Sequence, residues 1–387
     1  HVAGFAKEAA VVTHYRLRMI DGTLQPDPDS KLTEPYIIRP TSETIIGEAM
    51  SRWVQSYRDL PLKLNQWVNV MRWEMRPRMF LRTAEFNWQE GHNAFATHAE
   101  ANADARKMHG IYADYMRDVL AIPVIRGEKT PEERFAGADH TYTVEQIMQD
   151  GKALQAGTSH DLGQHFAKSF GIQYLGADGK LQNAWTTSWG TSTRMMGGLF
   201  MTHSDDDGLV LPPAVAPYQI VIIPITRDEN AAELNAFAEN VGQQLRAVGI
   251  RVLVDTCDMR APDKMWKWIK RGVPLRVEIG AREMADAMAT VTRRDLGKSS
   301  KQTIAIADLV AGASDMLAGI QRDMYNAAAA RNDTMIVNVA DLDALESELA
   351  AGRVAFFRLK YDMTTNERFD GLIEKYKISR RCLDDND

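Results

Sequence analysis

The sequence predicts an α+β domain with an antiparallel sheet, then an α/β domain, then a small α+β domain at the C-terminus. Three observations lead to this prediction: two adjoining strand patterns at 62–92, a turn-rich segment at 205–217, and a regular alternation of strands and helices beyond it. With 387 residues, the chain is long enough for several domains that each bury a core. We place the three domains at 1–207, 208–312 and 313–387.

The first domain contains runs of strands with interspersed helices, a pattern typical of an antiparallel α+β sheet. Thr41 offers an N-cap for a helix that follows a short strand at 34–39. A longer helix is predicted at 99–120 because its apolar residues recur with the 3.6-residue period. The remaining elements are strands at 142–148, 153–159 and 181–189, with a helix at 164–170 between the last two.

The strand patterns at 62–74 and 81–92 predict a β-hairpin whose connection spans 75–80. Because strand side chains repeat every second residue, Arg72 and Glu74 share a face of the first strand. One face of the second strand carries a mixed set of basic, acidic and aromatic residues: Arg82, Phe86, Trp88, Glu90 and His92.

This face is costly to bury without partners, because unpaired charge cannot be desolvated cheaply. Arginine forks suit phosphate and carboxylate oxygens, an aromatic ring suits the face of a purine, and a carboxylate accepts from an exocyclic amine. ATP and an amino acid together would use all of these groups. The alternative is an amphipathic hairpin with a solvated charged side, and the interleaved aromatic residues favour the binding site.

Three further short segments combine residues suited to such a ligand. Thr41 and Glu43 place a hydroxyl and a carboxylate at a helix N-terminus, where they cap the helix or receive an ammonium group. His160 stands at the end of a strand, as a ligand-binding or a structural group. The small residues at 188–193 form a turn into a helix near Arg194, so that backbone amides can approach phosphate. The sequence has no Walker P-loop and no Rossmann glycine fingerprint, which disfavours the commoner nucleotide-binding designs.

A cluster of aspartates, Gly208 and three prolines forms the strongest turn-rich segment and predicts an interdomain linker. Beyond it, strands and helices alternate with short connections, which implies a parallel α/β sheet. The predicted elements are a strand at 218–225, a helix at 231–248, a strand at 251–254, a helix at 262–271 and a strand at 275–279. The last domain is predicted to hold a helix at 316–330 and strands at 334–339 and 354–359.

The overall composition is ordinary for a globular protein, and no apolar run approaches the ~20 residues of a membrane helix. With only two cysteines, a disulfide framework and a four-cysteine zinc site within one chain are excluded, and a cytoplasmic location is expected. We expect Cys257 to pack inside the α/β domain.

The net charge of -6 gives no bulk attraction for nucleic acid, so an RNA contact requires a local basic patch. The segment at 264–271 supplies one, and helical spacing puts Lys264, Lys267 and Arg271 on one side. Its two indoles are suited to stacking on bases. The alternative is an amphipathic helix with a tryptophan in the core and solvated lysines.

Six segments together resemble prolyl-tRNA synthetases of the archaeal and eukaryotic-like kind, which are class II aminoacyl-tRNA synthetases. They are RPTSE at 39–43, SYRDLPLKLNQW at 56–67, RWE at 72–74, FLRTAEFNWQEGH at 80–92, AGTSH at 156–160 and SWGTSTRMMGG at 188–198. The resemblance extends from His1 to about Lys377. It implies a class II catalytic domain, an α/β anticodon-binding domain and a small C-terminal domain. The implied activity is the activation of L-proline with ATP to prolyl-adenylate, followed by transfer to the 3′ end of tRNA(Pro).

The resemblance also implies a role for each matching residue. Arg72, Arg82 and Arg194 would be catalytic, with Arg72 holding the α-phosphate of ATP and the proline carboxylate. ATP would be bound by Arg72, Glu74, Arg82, Thr83, Phe86, Gln155, Thr158, Ser192, Thr193 and Arg194. Proline would be bound by Phe5, Thr41, Glu43, Arg72, Trp88, Glu90, His92, His160 and Ser188. Mg²⁺ is expected to accompany ATP, because it offsets the phosphate charge.

Two departures from the family pattern limit these implications. The first signature motif of class II synthetases, which lies at the dimer interface, has no counterpart in the sequence. A homodimer is therefore expected from the family alone. Many relatives bind zinc through cysteines of the C-terminal domain, where this chain has only Cys382, so we do not expect a structural zinc ion there. The competing hypothesis is a non-catalytic synthetase paralogue that binds amino acid or RNA. Such relatives usually lose the phosphate-facing arginines or the adenine-binding carboxylate, and this chain retains both.

Overall fold

The computed structural model describes residues 9–385. Its first elements are two small antiparallel pairs, β1 (Ala10–His14) with β4 (Lys31–Ile38) and β2 (Leu17–Ile20) with β3 (Thr23–Pro26). Helix α1 (Glu43–Trp53) follows. Ser42, and not the predicted Thr41, occupies its N-cap position. The Ser42 hydroxyl donates to the carboxylate of Glu90 instead of capping the helix, because a buried carboxylate needs donors.

A seven-stranded antiparallel sheet forms the centre of the first domain. Its strands are β5 (Leu62–Met71), β6 (Glu85–Phe95), β7 (Val124–Glu128), β8 (His140–Ile147), β9 (Ala153–Asp161), β12 (Trp185–Ser192) and β20 (Leu383–Asp384). They lie in the order β20-β7-β8-β9-β12-β6-β5. Helix α2 (His98–Asp118) covers one face, where Tyr112 and Met116 pack against Trp189.

The predicted hairpin is formed by β5 and β6, with Val70 opposite Phe86 and Val68 opposite Trp88. Its connection is longer than predicted and spans 72–84, because regular pairing ends at Met71 and Pro77 has no N–H to donate to a ladder. Arg72, Glu74, Arg82 and Thr83 therefore lie in the connection and not on the strands.

The segment at 173–193 also differs from the prediction. The single strand expected at 181–189 is divided at the buried Ala184: β11 (Leu181–Asn183) pairs with β10 (Gln173–Leu175) after helix α3 (His165–Phe170), and β12 enters the main sheet. The residues at 188–192, expected as a turn, belong to β12. Helix α4 (Arg194–His203) starts immediately afterwards, with Thr193 at its N-cap position.

The second domain has a mixed sheet: its three predicted strands are parallel, as expected, and two further strands that were not predicted pair antiparallel. The strands are β13 (Ile220–Pro224), β14 (Val252–Val254), β15 (Leu275–Ile279), β16 (Met288–Arg293) and β17 (Gln302–Ala305). They lie in the order β14-β13-β15-β16-β17, and the first three are parallel. β16 pairs antiparallel with both β15 and β17, because it returns from β15 through only a short helix. The helices are α5 (Ala231–Ala247), α6 (Ala261–Lys270) and α7 (Ala281–Ala285).

Helix α8 (Ile306–Met335) is longer than the predicted helix at 316–330 and crosses the predicted boundary at 312/313. Its buried residues recur every three or four positions and join the core of the second domain: Ile306, Leu309, Ala313, Leu317, Ile320 and Met324. The last elements are β18 (Ile336–Asn338), α9 (Leu342–Ala350), β19 (Phe356–Arg358) and α10 (Glu367–Tyr376). Among residues 9–385, no helix is both long and apolar enough to cross a membrane.

Candidate active site

A cleft of about 290 Å³ opens on the sheet face formed by β6, β9 and β12. Antiparallel pairing aligns its residues in rows across the three strands. One row contains His92, Ser188 and His160, and the next contains Glu90, Gly190 and Thr158. Twelve of the predicted site residues line this cleft: Thr41, Glu43, Arg72, Phe86, Trp88, Glu90, Gln155, Thr158, His160, Ser188, Ser192 and Arg194.

Glu90 is the centre of a buried polar network at one end of the cleft. Its Oε1 accepts from the Ser42 hydroxyl and, at 2.7 Å, from Nε2 of Gln66. His92 Nε2 lies 3.1 Å from Glu90 Oε2. Burial opposes ionisation of Glu90, but the adjacent His92 imidazole and these donors outweigh it and lower the pKa of the Glu90 carboxyl. A buried anion is therefore present at this end of the cleft.

A second carboxylate lies beside this network at the start of α1. Glu43 is largely buried, and its Oε2 accepts from the Thr41 hydroxyl. Both residues line the cleft. Two carboxylates in one pocket favour a cationic ligand group there.

His160 forms the opposite wall of this end and is a neutral group. Burial, followed by the proximity of His92, lowers the pKa of His160 to about 3. Its Nδ1 lies 3.0 Å from Thr141 Oγ1, which also accepts from the backbone N–H of Phe135 at 3.1 Å. The ring centroids of His160 and Phe135 are 4.7 Å apart. Thr141, Phe135 and Glu133 also line the cleft, although no sequence motif predicted them. Thr141 lies on β8, and Phe135 and Glu133 lie in the segment before this strand.

The other end of the cleft is positively charged. Arg72 Nε donates to the carbonyl of Pro40 at 2.9 Å, and its guanidinium lies 5.4 Å from the Phe86 ring centroid and 5.7 Å from that of Trp88. Arg194 Nε donates to the carbonyl of Leu81 at 2.9 Å. Burial, together with the charges of Arg82 and Arg72, lowers the pKa of Arg194. Guanidinium groups that approach one another favour an anionic ligand.

Among the described residues, five of those predicted to bind ATP or proline do not line the cleft. Arg82 and Glu74 form an ion pair at 3.6 Å in the connection, where Thr83 also lies. His92 is buried behind Glu90, and Thr193 occupies the N-cap position of α4. The predicted Phe5 lies outside the described residues.

Unsatisfied polar atoms also indicate a ligand. Within residues 9–385, Ser188 Oγ and Trp88 Nε1 are buried without a hydrogen-bond partner, and both residues line the cleft. Buried polar atoms are usually paired, so such atoms in a cleft point to a partner supplied by the ligand.

The predicted RNA-binding segment is helix α6. Lys264 is buried, with its ammonium group donating to the Asp255 carbonyl at 3.0 Å, and Lys267 donates to the Asp255 carboxylate at 2.9 Å. Arg271 is exposed and lies 5.1 Å from the centroid of the buried Trp268. Cys257 is exposed next to this helix, so the expectation that it packs inside the domain was wrong.

Comparison with known proteins identifies the family. The tRNA synthetase class II core domain (G, H, P, S and T) matches residues 25–203, and the anticodon binding domain matches residues 219–315. A proline-tRNA ligase of Bdellovibrio bacteriovorus is 52% identical over 390 residues, which cover 99% of this chain and 78% of that protein. A proline-tRNA ligase of Akkermansia muciniphila is 49% identical over 394 residues, which likewise cover 99% of this chain and 78% of that protein.

The chain belongs to the prolyl-tRNA synthetases. A solved prolyl-tRNA synthetase from Cryptosporidium parvum, complexed with L-proline and AMP, has the same fold, with a TM-score of 0.82 and 37% sequence identity. The match covers 90% of this chain and 69% of that one. The predicted catalytic and anticodon-binding folds are thereby confirmed. The archaeal and eukaryotic-like subtype and the domain boundaries stay predictions.

Proposed function

We propose that this chain activates L-proline with ATP to form prolyl-adenylate and transfers the prolyl group to the 3′ end of tRNA(Pro). The observation that carries the proposal is a single cleft with an anionic end at Glu43 and Glu90 and a cationic end at Arg72 and Arg194. Proline and ATP present the complementary charges. The related structure in complex with L-proline and AMP supports the same pairing of ligands.

Proline is assigned to the anionic end. Thr41, Glu43 and Glu90 suit its secondary ammonium group, because each supplies an oxygen to the same cleft and the Thr41 hydroxyl contacts the Glu43 carboxylate. Neutral His160 supports this assignment, since a protonated imidazole would repel the ammonium group. The remaining wall is assigned to Trp88, His92, Ser188 and, outside the described residues, Phe5.

ATP is assigned to the cationic end. Arg194 and Phe86 would stack on adenine, Glu74 would accept from its amine, and Arg82 with Thr83 would hold the outer phosphates. Ribose and phosphate oxygens are assigned to Gln155, Thr158, Ser192 and Thr193. Mg²⁺ would enter as part of the ATP substrate, coordinated by its phosphates.

Arg72 links the two ends, because it lines the cleft while its Nε is anchored on the Pro40 carbonyl. We assign its terminal nitrogens to the proline carboxylate and the α-phosphate, the groups that must meet for in-line attack. The carboxylate oxygen attacks the α-phosphorus and pyrophosphate leaves. The nucleophile is already ionised, so positioning and charge stabilisation suffice without a general base.

The anticodon-binding domain is assigned to tRNA, with Lys264 and Lys267 of α6 and the Arg271 that follows it as the proposed contacts. Because Lys264 and Lys267 are held by Asp255, Arg271 is the most accessible of the three. We therefore expect Arg271→Ala to weaken tRNA charging and to flatten its salt dependence, while proline-dependent pyrophosphate exchange stays near wild type. Unchanged charging would exclude this contact, and equal loss in both assays would indicate a structural role.

Other features rest on the family alone. We propose a homodimer in the cytoplasm, which equilibrium sedimentation and cell fractionation would test. The central test of the function is ATP-pyrophosphate exchange with a panel of all amino acids. Proline should support exchange, and exchange with another amino acid but not with proline would overturn the assignment.

A further inference from the structure

A second cluster of ionisable residues lies behind the candidate active site. Asp161 follows His160 on β9, and strand alternation puts its side chain on the opposite face of the sheet. His98 Nε2 lies 2.9 Å from Asp161 Oδ2, and His165 Nε2 lies 3.0 Å from Asp139 Oδ1. One ligand atom from each of His98, Asp139 and Asp161 lies within 4.8 Å of the others.

The carboxylates of Asp139 and Asp161 both contact the backbone of Gly163. The Gly163 N–H donates to Asp161 Oδ1 at 3.0 Å, and Asn102 Nδ2 donates to Asp161 Oδ2 at 3.0 Å. A Cβ atom at Gly163 would overlap Asp139 Oδ2, so the Asp139 carboxylate lies directly on this backbone. Gly163 has a φ of +53°, which a side chain would also disfavour.

The charge balance of the cluster calls for a cation. Asp161 is fully buried, and in the part of the chain that the structure describes neither Asp139 nor Asp161 forms an ion pair with a lysine or an arginine. The ionic partners of these two carboxylates are the imidazoles of His98 and His165. A divalent ion bound between the two neighbouring carboxylates would neutralise their negative charges.

We propose that His98, Asp139 and Asp161 bind a divalent transition metal ion of the Zn²⁺ class, with His165 orienting Asp139. A set of one imidazole and two carboxylates suits Zn²⁺, and a water molecule would complete four-coordination. Zn²⁺–ligand bonds of about 2.0 to 2.2 Å put tetrahedral ligand atoms about 3.3 Å apart. The distance of 2.9 Å between His98 Nε2 and Asp161 Oδ2 therefore has to increase by only a few tenths of an ångström.

The ion would tie together parts of the chain that are distant in sequence. His98 begins α2, Asp139 ends the segment that carries Phe135, Asp161 ends β9, and His165 begins α3. Since Phe135 packs on His160, the site would also immobilise the wall of the cleft. The metal-binding proposal itself is independent of the proposed enzymatic function.

The test uses the full chain, stripped of metal with a chelator and titrated with Co²⁺ alone. We expect a visible absorption spectrum of tetrahedral Co²⁺ that saturates at one equivalent, is displaced by Zn²⁺, and accompanies a rise in the thermal unfolding midpoint. His98→Gln and Asp139→Asn should abolish the spectrum. His165→Gln should weaken Co²⁺ binding about tenfold, which is the typical loss when a residue that orients a metal ligand is replaced.

The matched control is His140→Gln. His140 also pairs with a carboxylate, that of Glu128 at 2.8 Å, but it does not belong to the cluster of His98, Asp139 and Asp161. This variant should bind Co²⁺ like the wild type. All three substituted cluster residues are partly exposed, and circular dichroism verifies that each variant folds. A wild-type chain without the spectrum, or a spectrum that persists in folded His98→Gln and Asp139→Asn, would overturn the proposal.

Discussion

Replacing Arg72 with alanine is expected to remove most of the amino-acid activation while leaving the fold intact. Arg72 lies in the β5-β6 connection, where its Nε donates to the Pro40 carbonyl at 2.9 Å and its backbone N–H donates to the Ala84 carbonyl at 2.7 Å. Its guanidinium also contacts the rings of Phe86 and Trp88. The side chain is half-buried at the cleft and outside the main core, so truncation should leave the sheet folded.

The magnitude follows from the contacts assigned to its terminal nitrogens. Two hydrogen bonds to charged oxygens, at about 1.5 to 3 kcal/mol each, total about 3 to 6 kcal/mol. If both are made in the transition state, kcat/KM for proline-dependent ATP-pyrophosphate exchange should fall by a factor of about 10² to 10⁴. Arg72→Lys should lie between alanine and wild type, because it keeps the charge but loses the fork.

The control is Arg78→Ala, which removes an exposed arginine from the same connection and should leave exchange near wild type. Thermal unfolding of all three variants establishes that they are folded. A loss below about tenfold in Arg72→Ala, or an equal loss in Arg78→Ala, would refute the assigned role of Arg72.

Three other expectations concern stability and accuracy. Burial opposes ionisation of Glu145, but its basic partners outweigh this effect and lower the pKa of its carboxyl below the ordinary 4.5. The ionised carboxylate therefore stabilises the fold at neutral pH, and this stabilisation is lost as the pH falls through the lowered pKa. The thermal midpoint should thus fall more steeply below about pH 5 in the wild type than in Glu145→Gln. Gly91→Ala should cost about 1 to 3 kcal/mol, because the new Cβ overlaps the Trp189 ring, whereas Gly110→Ala meets no neighbour and should cost nothing in a urea titration. Described elements fill the chain from β6 to β12, so no editing domain is inserted there. We expect alanine or cysteine to be activated measurably and alanyl-tRNA not to be hydrolysed in cis, because an apolar pocket discriminates by only about 1 to 3 kcal/mol per methylene.

The sequence sufficed to predict the cleft face of β6, because strand alternation is local. Phe86, Trp88 and Glu90 share that face as expected. The same alternation continues into the connection, where Arg82 and Glu74 no longer follow a sheet register. A polarity pattern alone cannot distinguish a strand from a loop that happens to alternate, so the strands were predicted too long.

The remaining wall of the cleft depends on contacts between distant segments. Thr141 lies opposite His160 because β8 pairs with β9, and Phe135 reaches the same imidazole from the loop before β8. Neither residue belongs to a charged or glycine-rich motif. Knowledge of the β8-β9 pairing would have identified Thr141, whereas Phe135 requires the path of the loop.

Helix α6 illustrates the same limit for charge. Helical spacing correctly gives Lys264 and Lys267 a common side, but spacing does not tell whether that side faces solvent or protein. Asp255, which comes before the helix in a separate segment, accepts from both lysines, and the buried Trp268 indole also donates to it at 2.6 Å. Burial opposes ionisation of Asp255, but hydrogen bonds to its carboxylate from Cys257, Lys267 and Trp268 outweigh it and lower the pKa of the carboxyl. Asp255 thus turns part of the basic stripe inward, through its carbonyl for Lys264 and its carboxylate for Lys267, and the accessible positive charge of α6 is smaller than its composition indicates.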